Sequence, residues 1–313
     1  MGPIRIVRHA SYQKRFYDIV PAWIERNAPE LAPLFNIRDL PCVPGEGVRL
    51  LVPWLQDPVE GWSAETYDFM MDMQARCDAI GVPVINRVER LANAAKARGA
   101  GIMAATGLRV PRTVAITDCE AFRKGFGGLA FPFFVREDWE HGGRILKADN
   151  EQQALAIPLE RFKRPVASEK VDVRDPADGL CHKYRYFACG ARGVSRHILV
   201  SESWVTRPEN RTMTDATIAE ELAYIERQDP FHDRFQAARR ALGLDMVAFD
   251  YGIDRDGEPI VWEANAFPAV GFAGPETEYR NRAVHRSIAA MVSMYLERAG
   301  LPAVPAIEAL VAY

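Results

Sequence analysis

Short apolar runs alternate with stretches of helical periodicity through the first third of the sequence. Runs rich in β-branched and aromatic residues are typical of strands, whereas apolar residues at every third or fourth position are typical of amphipathic helices. The pattern predicts four strands, at Pro3–His9, Leu31–Leu40, Val48–Leu55 and Pro83–Asn86. It predicts helices after Ser11, over residues 12–27, and after Ser63, over residues 64–80. This alternation indicates a small parallel α/β unit.

The remaining two thirds of the chain contain strands and helices that do not alternate strictly. The predicted strands are 114–116, 131–136, 166–173, 180–189 and 195–199. The predicted helices are 86–106, 119–125, 150–156, 215–228, 230–242 and 279–299. The fold class is therefore predicted to be α/β with an α+β part.

Two apolar runs between Leu242 and Phe272 flank Asp256-Gly257, a strong short-range signal of a β-hairpin. A two-residue turn there predicts four cross-strand pairs: Arg255 with Glu258, Ile253 with Ile260, Tyr251 with Trp262, and Asp250 with Glu263. Side chains alternate along a strand. One face is therefore predicted to be apolar, with Phe249, Tyr251, Ile253, Ile260 and Trp262. The other face carries Asp250, Glu263 and Asn265.

The polar face of this hairpin has an unfavourable charge arrangement. Directly opposed Cβ atoms lie about 5 Å apart, and two carboxylates at that distance repel by roughly 3 kcal/mol at an effective dielectric of about 20. Either one acid is protonated or a cation lies between them. Two carboxylates and the Asn265 amide are the hard oxygen ligands that hold Mg²⁺ beside phosphates. The alternative is a surface hairpin whose acids point into water.

A basic face is predicted on the strands that precede the hairpin. If residues 180–189 pair antiparallel with 195–199, one basic face collects Lys183, Arg185, Arg196 and His197. Such a face opposite the acidic hairpin would stabilise a transferring phosphoryl group and an acyl-phosphate.

The order Asp250, then Glu263-Ala264-Asn265, with Pro268 soon after, resembles the metal-binding end of the ATP-grasp ligases. D-alanine–D-alanine ligases and ribosomal-protein glutamate ligases are the members it is most similar to. Further matches in the same order lie between residues 86 and 272. The resemblance implies an ATP-grasp fold with a Rossmann-like N-terminal subdomain. It also implies subdomains at 1–86, 87–165 and 166–313, with ATP between the last two.

The resemblance further implies a role for each matching residue. Lys96 and Arg136 are expected to contact the ATP phosphates. A glycine-bearing flap is expected to close over them with His141, Gly142 and Gly143. The hinge that binds adenine and ribose is expected at Glu169, Lys170, Val171 and Asp172. Mg²⁺ is expected on Asp250, Glu263 and Asn265. The acyl-phosphate is expected to be held by Arg185, with Lys183 and His197.

The residues alone leave simpler interpretations open for several of these positions. Lys96 has the alternative of a solvated helix face, and residues 141–144 that of a plain hairpin loop. The hinge has the alternative of an exposed, charged strand. Three departures from the family pattern also bear on activity: Arg136 stands where lysine is usual, Ala248 where peptide ligases commonly carry arginine, and Pro268-Ala269 in place of Pro-Gly.

The leading hypothesis from the sequence is an ATP- and Mg²⁺-dependent carboxylate–amine ligase that forms an acyl-phosphate. The alternatives are a small-molecule kinase on the same scaffold and a nucleotide-binding module without catalysis. The substrates are expected to be a small carboxylic acid and an amine. Family analogy suggests a homodimer.

Composition excludes other classes of partner. A net charge of −3 offers no basic surface for nucleic acid, and no apolar run approaches the 18 residues of a membrane span. The five cysteines are odd in number and scattered, as expected of free thiols in a reducing compartment. The start of the chain lacks the apolar segment of a signal peptide. A cytoplasmic protein is therefore expected.

Overall fold

The first sheet contains three parallel strands in the order β2–β1–β3. The computed structural model describes residues 2–9, 17–43, 47–139 and 143–313. The strands are β1 (Ile4–Arg8), β2 (Phe35–Asp39) and β3 (Leu50–Trp54), and the helices are α1 (Ile19–Asn27) and α2 (Ala64–Ala79). The predicted parallel α/β unit is confirmed. The predicted start of the first helix, from Ser11 to residue 16, lies outside the described residues.

Two of the predicted N-terminal strands differ from the structure because of proline. A 3-10 helix at Pro29–Leu34 replaces the first half of the strand predicted at Leu31–Leu40. Proline fixes φ near −65°, which suits the start of a helix. At Pro83–Asn86 a single parallel bridge joins Leu51 to Val84. Proline lacks the N–H that a ladder needs at each position, so the strand prediction there was wrong.

The second sheet is antiparallel, in the order β4–β7–β5–β6. Its strands are β4 (Thr113–Ala115), β5 (Phe133–Glu137), β6 (Ile145–Ala148) and β7 (Pro165–Glu169). The helices of this part are α3 (Val88–Leu91), α4 (Lys96–Ala104), α5 (Cys119–Arg123) and α6 (Glu151–Leu155). The predicted boundary between residues 165 and 166 falls inside β7. β7 pairs with β4 and β5, and the division into three subdomains stays a prediction.

The third sheet is also antiparallel, in the order β11–β10–β8–β9. Its strands are β8 (Cys181–Cys189), β9 (Arg192–Ser201), β10 (Met246–Ile253) and β11 (Pro259–Asn265). The helices are α7 (Asp215–Ile225), α8 (His232–Leu242), α9 (Asn281–Arg298) and α10 (Pro305–Val311). The predicted hairpin therefore forms one half of a four-stranded sheet.

One hydrophobic core joins the first sheet to the third. It contains Ile4, Ile6 and Leu50 from the first sheet, Phe187 from β8, and Ile288 from α9, all at most 1% exposed. Burial of this apolar surface fixes the N-terminal unit against the end of the third sheet. Among the described residues, no helix is long and apolar enough to cross a membrane.

Candidate active site

The hairpin of β10 and β11 places Asp250 directly opposite Glu263. Asn265 lies two residues further along β11, opposite Ala248, and so shares the face of Glu263. The predicted opposition of the two carboxylates is confirmed.

The pairs predicted nearer the turn are wrong: Tyr251 with Trp262, Ile253 with Ile260, and Arg255 with Glu258. The strands close between Asp254 and Glu258 around three residues, and Gly257 adopts φ +79°. A bulge at Trp262 then restores the register before Glu263. Because of the bulge, Trp262 lines the cavity beside Glu263 instead of joining the predicted apolar face.

The two opposed carboxylates each face a cation. The Arg185 guanidinium donates two hydrogen bonds to Asp250, with Nε–Oδ1 2.5 Å and Nη2–Oδ2 2.7 Å. Lys183 Nζ lies 3.8 Å from Asp250 Oδ2, and Arg136 Nη1 lies 3.7 Å from Glu263 Oε2. Burial raises the pKa of Asp250, but Arg185 and Lys183 outweigh burial and hold that pKa below its usual value. Asp250 is thus held as a carboxylate.

A cavity of about 400 Å³ opens over this face, between the second and third sheets. Most of the predicted site residues line it: Lys96, Arg136, Gly143, Glu169, Lys170, Val171, Asp172, Lys183, Arg185, Asp250, Glu263 and Asn265. Residues more than 160 positions apart in the sequence therefore meet at one concave site. Its volume suits a nucleotide-sized ligand.

The segment after β7 offers free backbone groups to this cavity. Within the described ranges, the Val171 N–H and the Lys170 carbonyl have no hydrogen-bond partner. The carboxylate of Glu169 accepts a hydrogen bond from Arg112 N, and that of Asp172 accepts one from Arg174 N. The two groups belong to one trans peptide unit and point in opposite directions, so only one of them can face the edge of a purine base. The hinge role assigned to Glu169–Asp172 by resemblance remains a prediction.

Lys96 is 7% exposed, so the solvated helix face is excluded as its position. It opens α4, because the predicted helix over residues 86–106 is divided into α3, a 3-10 turn and α4. The Asp138 carboxylate accepts a hydrogen bond from Ala97 N, and the Asp138 carbonyl accepts one from Lys96 Nζ. Burial lowers the pKa of the Lys96 ammonium. The buried Lys96 ammonium is thus part of the lining of the cavity.

The predicted flap falls partly outside the described residues, which exclude His141 and Gly142. Gly143 lines the cavity, and its carbonyl accepts a hydrogen bond from Arg207 Nη2 at 2.9 Å. Arg207 belongs to the loop after β9, which also lines the cavity. Contact of the flap residues with phosphate remains a prediction.

The predicted basic face is only partly correct. Lys183 and Arg185 face the cavity, and His197 pairs with Arg185 across β8 and β9 but is not among the lining residues. A bulge on β9 leaves Arg196 without a partner in the ladder, since Tyr186 pairs with Ser195. The Arg196 guanidinium instead donates to the Ala283 carbonyl and to Ser287 Oγ on α9, both at 3.1 Å. Including Arg196 in the basic face was therefore wrong.

Two polar side chains outside the predicted set hold the hairpin in place. The Asn86 amide is 3% exposed, accepts hydrogen bonds from the backbone N–H of Asp245 and Met246, and donates to the carbonyls of Met246 and Ala266. Asp57, after β3, accepts a hydrogen bond from Ala266 N at 3.3 Å. Both contacts tie the N-terminal unit to the residue that follows Asn265. The loop that follows β3 thus touches the end of the hairpin.

An aromatic pair missed by the sequence prediction closes one side of the cavity. The rings of Phe134 and Trp204 stack with centroids 4.0 Å apart and planes inclined by 15°. Phe134 belongs to β5, whereas Trp204 belongs to the polar loop after β9. A single tryptophan in a polar loop is the one sequence signal that could have pointed to this contact.

The donor set on the hairpin fits Mg²⁺ chemically, because Asp250, Glu263 and Asn265 present oxygen ligands on one face. Asn265 Oδ1 accepts a hydrogen bond from Phe267 N, which orients the amide. Each Asp250 oxygen accepts one hydrogen bond from Arg185 and keeps a second lone pair for a cation. In the part of the chain that the structure describes, no group of three or more His, Cys, Asp or Glu is suited to a metal. A magnesium site here therefore needs the amide as its third ligand.

No family model and no curated protein matches the sequence. Solved structures match the fold. VanG D-Ala:D-Ser ligase from Enterococcus faecalis has a TM-score of 0.60 at 14% identity, covering 96% of this chain and 100% of that chain. A D-alanine–D-alanine ligase from Bacillus anthracis, complexed with ATP, has a TM-score of 0.57 at 14% identity, covering 96% and 97%. The ATP-grasp ligase PsnB, complexed with minimal precursor, Mg and ADP, has a TM-score of 0.54 at 15% identity, covering 93% and 97%.

These similarities extend over almost the whole length of both chains in each comparison. This protein therefore has the fold of the ATP-grasp ligases, and the fold expected from the hairpin motif is confirmed. At 14–15% identity the similarity defines the fold, and activity must be argued from the site.

Proposed function

We propose that this protein is an ATP-dependent carboxylate–amine ligase that works through an acyl-phosphate. The observation that carries the proposal is the single cavity that combines free hinge groups, buried cations and two opposed carboxylates. ATP-grasp ligases of the same fold, one complexed with ATP and one with Mg and ADP, support this use of the cavity.

The hinge would bind adenine through the Val171 N–H, which would donate to a ring nitrogen of the base. Lys96 and Arg136 would lie along the phosphates, where their charges oppose the negative charge of the transferring group. An oxygen of the substrate carboxylate attacks the γ-phosphorus, the bond from that phosphorus to the bridging oxygen breaks, and ADP leaves. Arg185 and Lys183 would hold the resulting acyl-phosphate. The amine attacks the acyl carbon, phosphate leaves, and the nitrogen releases a proton.

Asp250, Glu263 and Asn265 are the residues that would hold magnesium. Bound Mg²⁺ would neutralise charge on the β- and γ-phosphates and align them for in-line transfer. Arg185 bonds to Asp250 through Nε and Nη2, and its Nη1 would donate to the acyl group. Little covalent chemistry is required of the protein, since positioning and charge supply most of the rate.

A screen of carboxylate and amine pairs for Mg²⁺-dependent ADP release tests the proposal. Asp250→Ala and Glu263→Ala should each abolish turnover. Asp256→Ala, on the same hairpin but 84% exposed, should retain it. Near-normal turnover in either of the first two variants would refute the assignment.

Hydroxylamine separates the ligase from the other two hypotheses. An acyl-phosphate yields a hydroxamate, whereas the phosphate ester made by a kinase does not. The departure at Ala248 motivates the kinase hypothesis, and ADP release without a hydroxamate would support it. ATP binding without ADP release from any pair would support a non-catalytic module.

Location and assembly are proposed on less direct grounds. All five cysteines are free, which agrees with a reducing compartment such as the cytoplasm. A homodimer rests on the resemblance to the family, and light scattering in solution tests it.

A further inference from the structure

Four ionisable side chains form one row across the third sheet. Glu263 pairs with Asp250, Asp250 with Arg185, and Arg185 with His197. Neighbouring strands lie about 4.8 Å apart, so His197 is about 10 Å from Asp250 and about 14 Å from Glu263 along the row. The candidate magnesium ligands thus occupy one end of the row and His197 the other.

His197 is half-buried, yet its imidazole makes no hydrogen bond to any described residue. Burial lowers the pKa of its imidazole well below the usual range, and the charges of Arg185, Arg196, Arg280 and Lys183 lower it further. The ring is therefore neutral at pH 7 and offers one N–H donor and one acceptor. An uncommitted donor among cations is suited to an anionic ligand.

The cations around His197 exceed the carboxylates that pair with them. Arg185 bonds to Asp250, and Arg280 bonds to the buried Glu221 with Nε–Oε1 2.7 Å. The hydrogen bonds of Arg196 go to neutral groups on α9. Lys183 shares Asp250 with Arg185 at 3.8 Å. Four cations thus face two carboxylates, and a further negative group would balance this end of the sheet.

We propose that the acid substrate is a short dicarboxylate, with its second carboxylate bound at His197 and Lys183. The proposal rests on the proposed ligase function, in which the reacting carboxylate lies at Arg185. One strand spacing, about 5 Å, separates Arg185 from His197. This is close to the separation of the two carboxyl carbons in a four- or five-carbon dicarboxylic acid. The second carboxylate accepts the imidazole N–H and pairs with the Lys183 ammonium.

Calorimetric binding of matched acids to the full-length protein saturated with Mg²⁺ and the non-hydrolysable analogue AMPPNP tests this inference. Succinate and glutarate are compared with butyrate and valerate. Wild type should bind one of the dicarboxylates at least tenfold more tightly than either monocarboxylate. His197→Leu and Lys183→Met should each reduce that preference to less than threefold, whereas His197→Asn, which keeps a donor, should retain part of it. His285→Gln, outside the cavity, serves as the histidine control.

Unchanged AMPPNP affinity in His197→Leu shows that the variant is folded and that its nucleotide site is intact. Equal binding of mono- and dicarboxylates by wild type, binding of none of the four acids, or a preference that survives in His197→Leu would overturn the inference. Hydroxamate formation with any carboxylic acid would leave the ligase proposal standing in each of those cases. Failure of wild type to bind AMPPNP would overturn both.

Discussion

Asp250→Asn is the substitution whose effect can be worked out most fully from the structure. The change keeps the shape of the side chain and removes its charge. Asp250 and Arg185 are 12% and 20% exposed, and the variant leaves the guanidinium partly buried beside Lys183 without its carboxylate. It also removes the repulsion between Asp250 and Glu263. Stability therefore depends on which of these opposing effects is larger.

Attraction is the larger effect. Two unit charges 4 Å apart interact by about 4 kcal/mol at an effective dielectric of about 20, so Arg185 and Lys183 each offset more than the roughly 3 kcal/mol of repulsion from Glu263. Asparagine keeps one hydrogen bond from the charged guanidinium to its amide oxygen, worth about 1.5–3 kcal/mol. Allowing for partial exposure, Asp250→Asn should lower the free energy of unfolding by about 3 kcal/mol, the lower end of the cost of breaking a buried pair.

Urea denaturation followed by circular dichroism measures this loss at pH 7. Adding Arg185→Gln to Asp250→Asn should recover part of the stability, because the unpaired guanidinium is then gone. A variant within 0.5 kcal/mol of wild type, or a double variant whose losses simply add, would show that the two side chains are not coupled as the structure describes.

Three further predictions concern the hinge, the phosphate end and pH. Val171→Pro removes the free hinge N–H and should weaken ATP binding about tenfold in calorimetry, whereas Val171→Ala should not. Lys96→Met removes a positive charge from the phosphate end of the cavity and should weaken ATP binding at least tenfold. The melting temperature should change little, because the removed charge is buried. Burial lowers the pKa of His182, but hydrogen bonds to Glu220 and Asp178 outweigh burial and raise it to about 8. The stability that this raised pKa contributes is fully present below about pH 6.5 and is lost as pH rises through 8. The free energy of unfolding should therefore fall between pH 6 and pH 9 by about 1–2 kcal/mol more in wild type than in His182→Gln.

The sequence placed the two carboxylates of the hairpin correctly although it described the turn wrongly. An Asp-Gly pair suits a two-residue turn and also a three-residue loop with glycine in the left-handed region. The structure has the longer loop, and the bulge at Trp262 shifts the register back before Glu263. Alternation of side chains cannot reveal a bulge, so Trp262 was placed on the wrong face while Glu263 was placed correctly.

The same limit explains the error on β9. Arg196 and His197 are adjacent, so strict alternation cannot place both on one face. In the structure a bulge on β9 separates them, and the Arg196 guanidinium bonds to α9. Contacts between distant segments were missed for another reason. The Asn86 bonds to Met246 and Ala266 join residues at least 160 positions apart, and no local periodicity reports such pairs.

The central claim is that Asp250, Glu263 and Asn265 bind nucleotide phosphates through a divalent ion. Titration of AMPPNP into wild type and Glu263→Gln, each with Mg²⁺ and with EDTA, tests it most directly. We expect Mg²⁺ to tighten binding to wild type at least tenfold and to have less than a twofold effect on Glu263→Gln. Equal affinity of wild type with and without Mg²⁺, or full Mg²⁺ dependence in the variant, would contradict the claim.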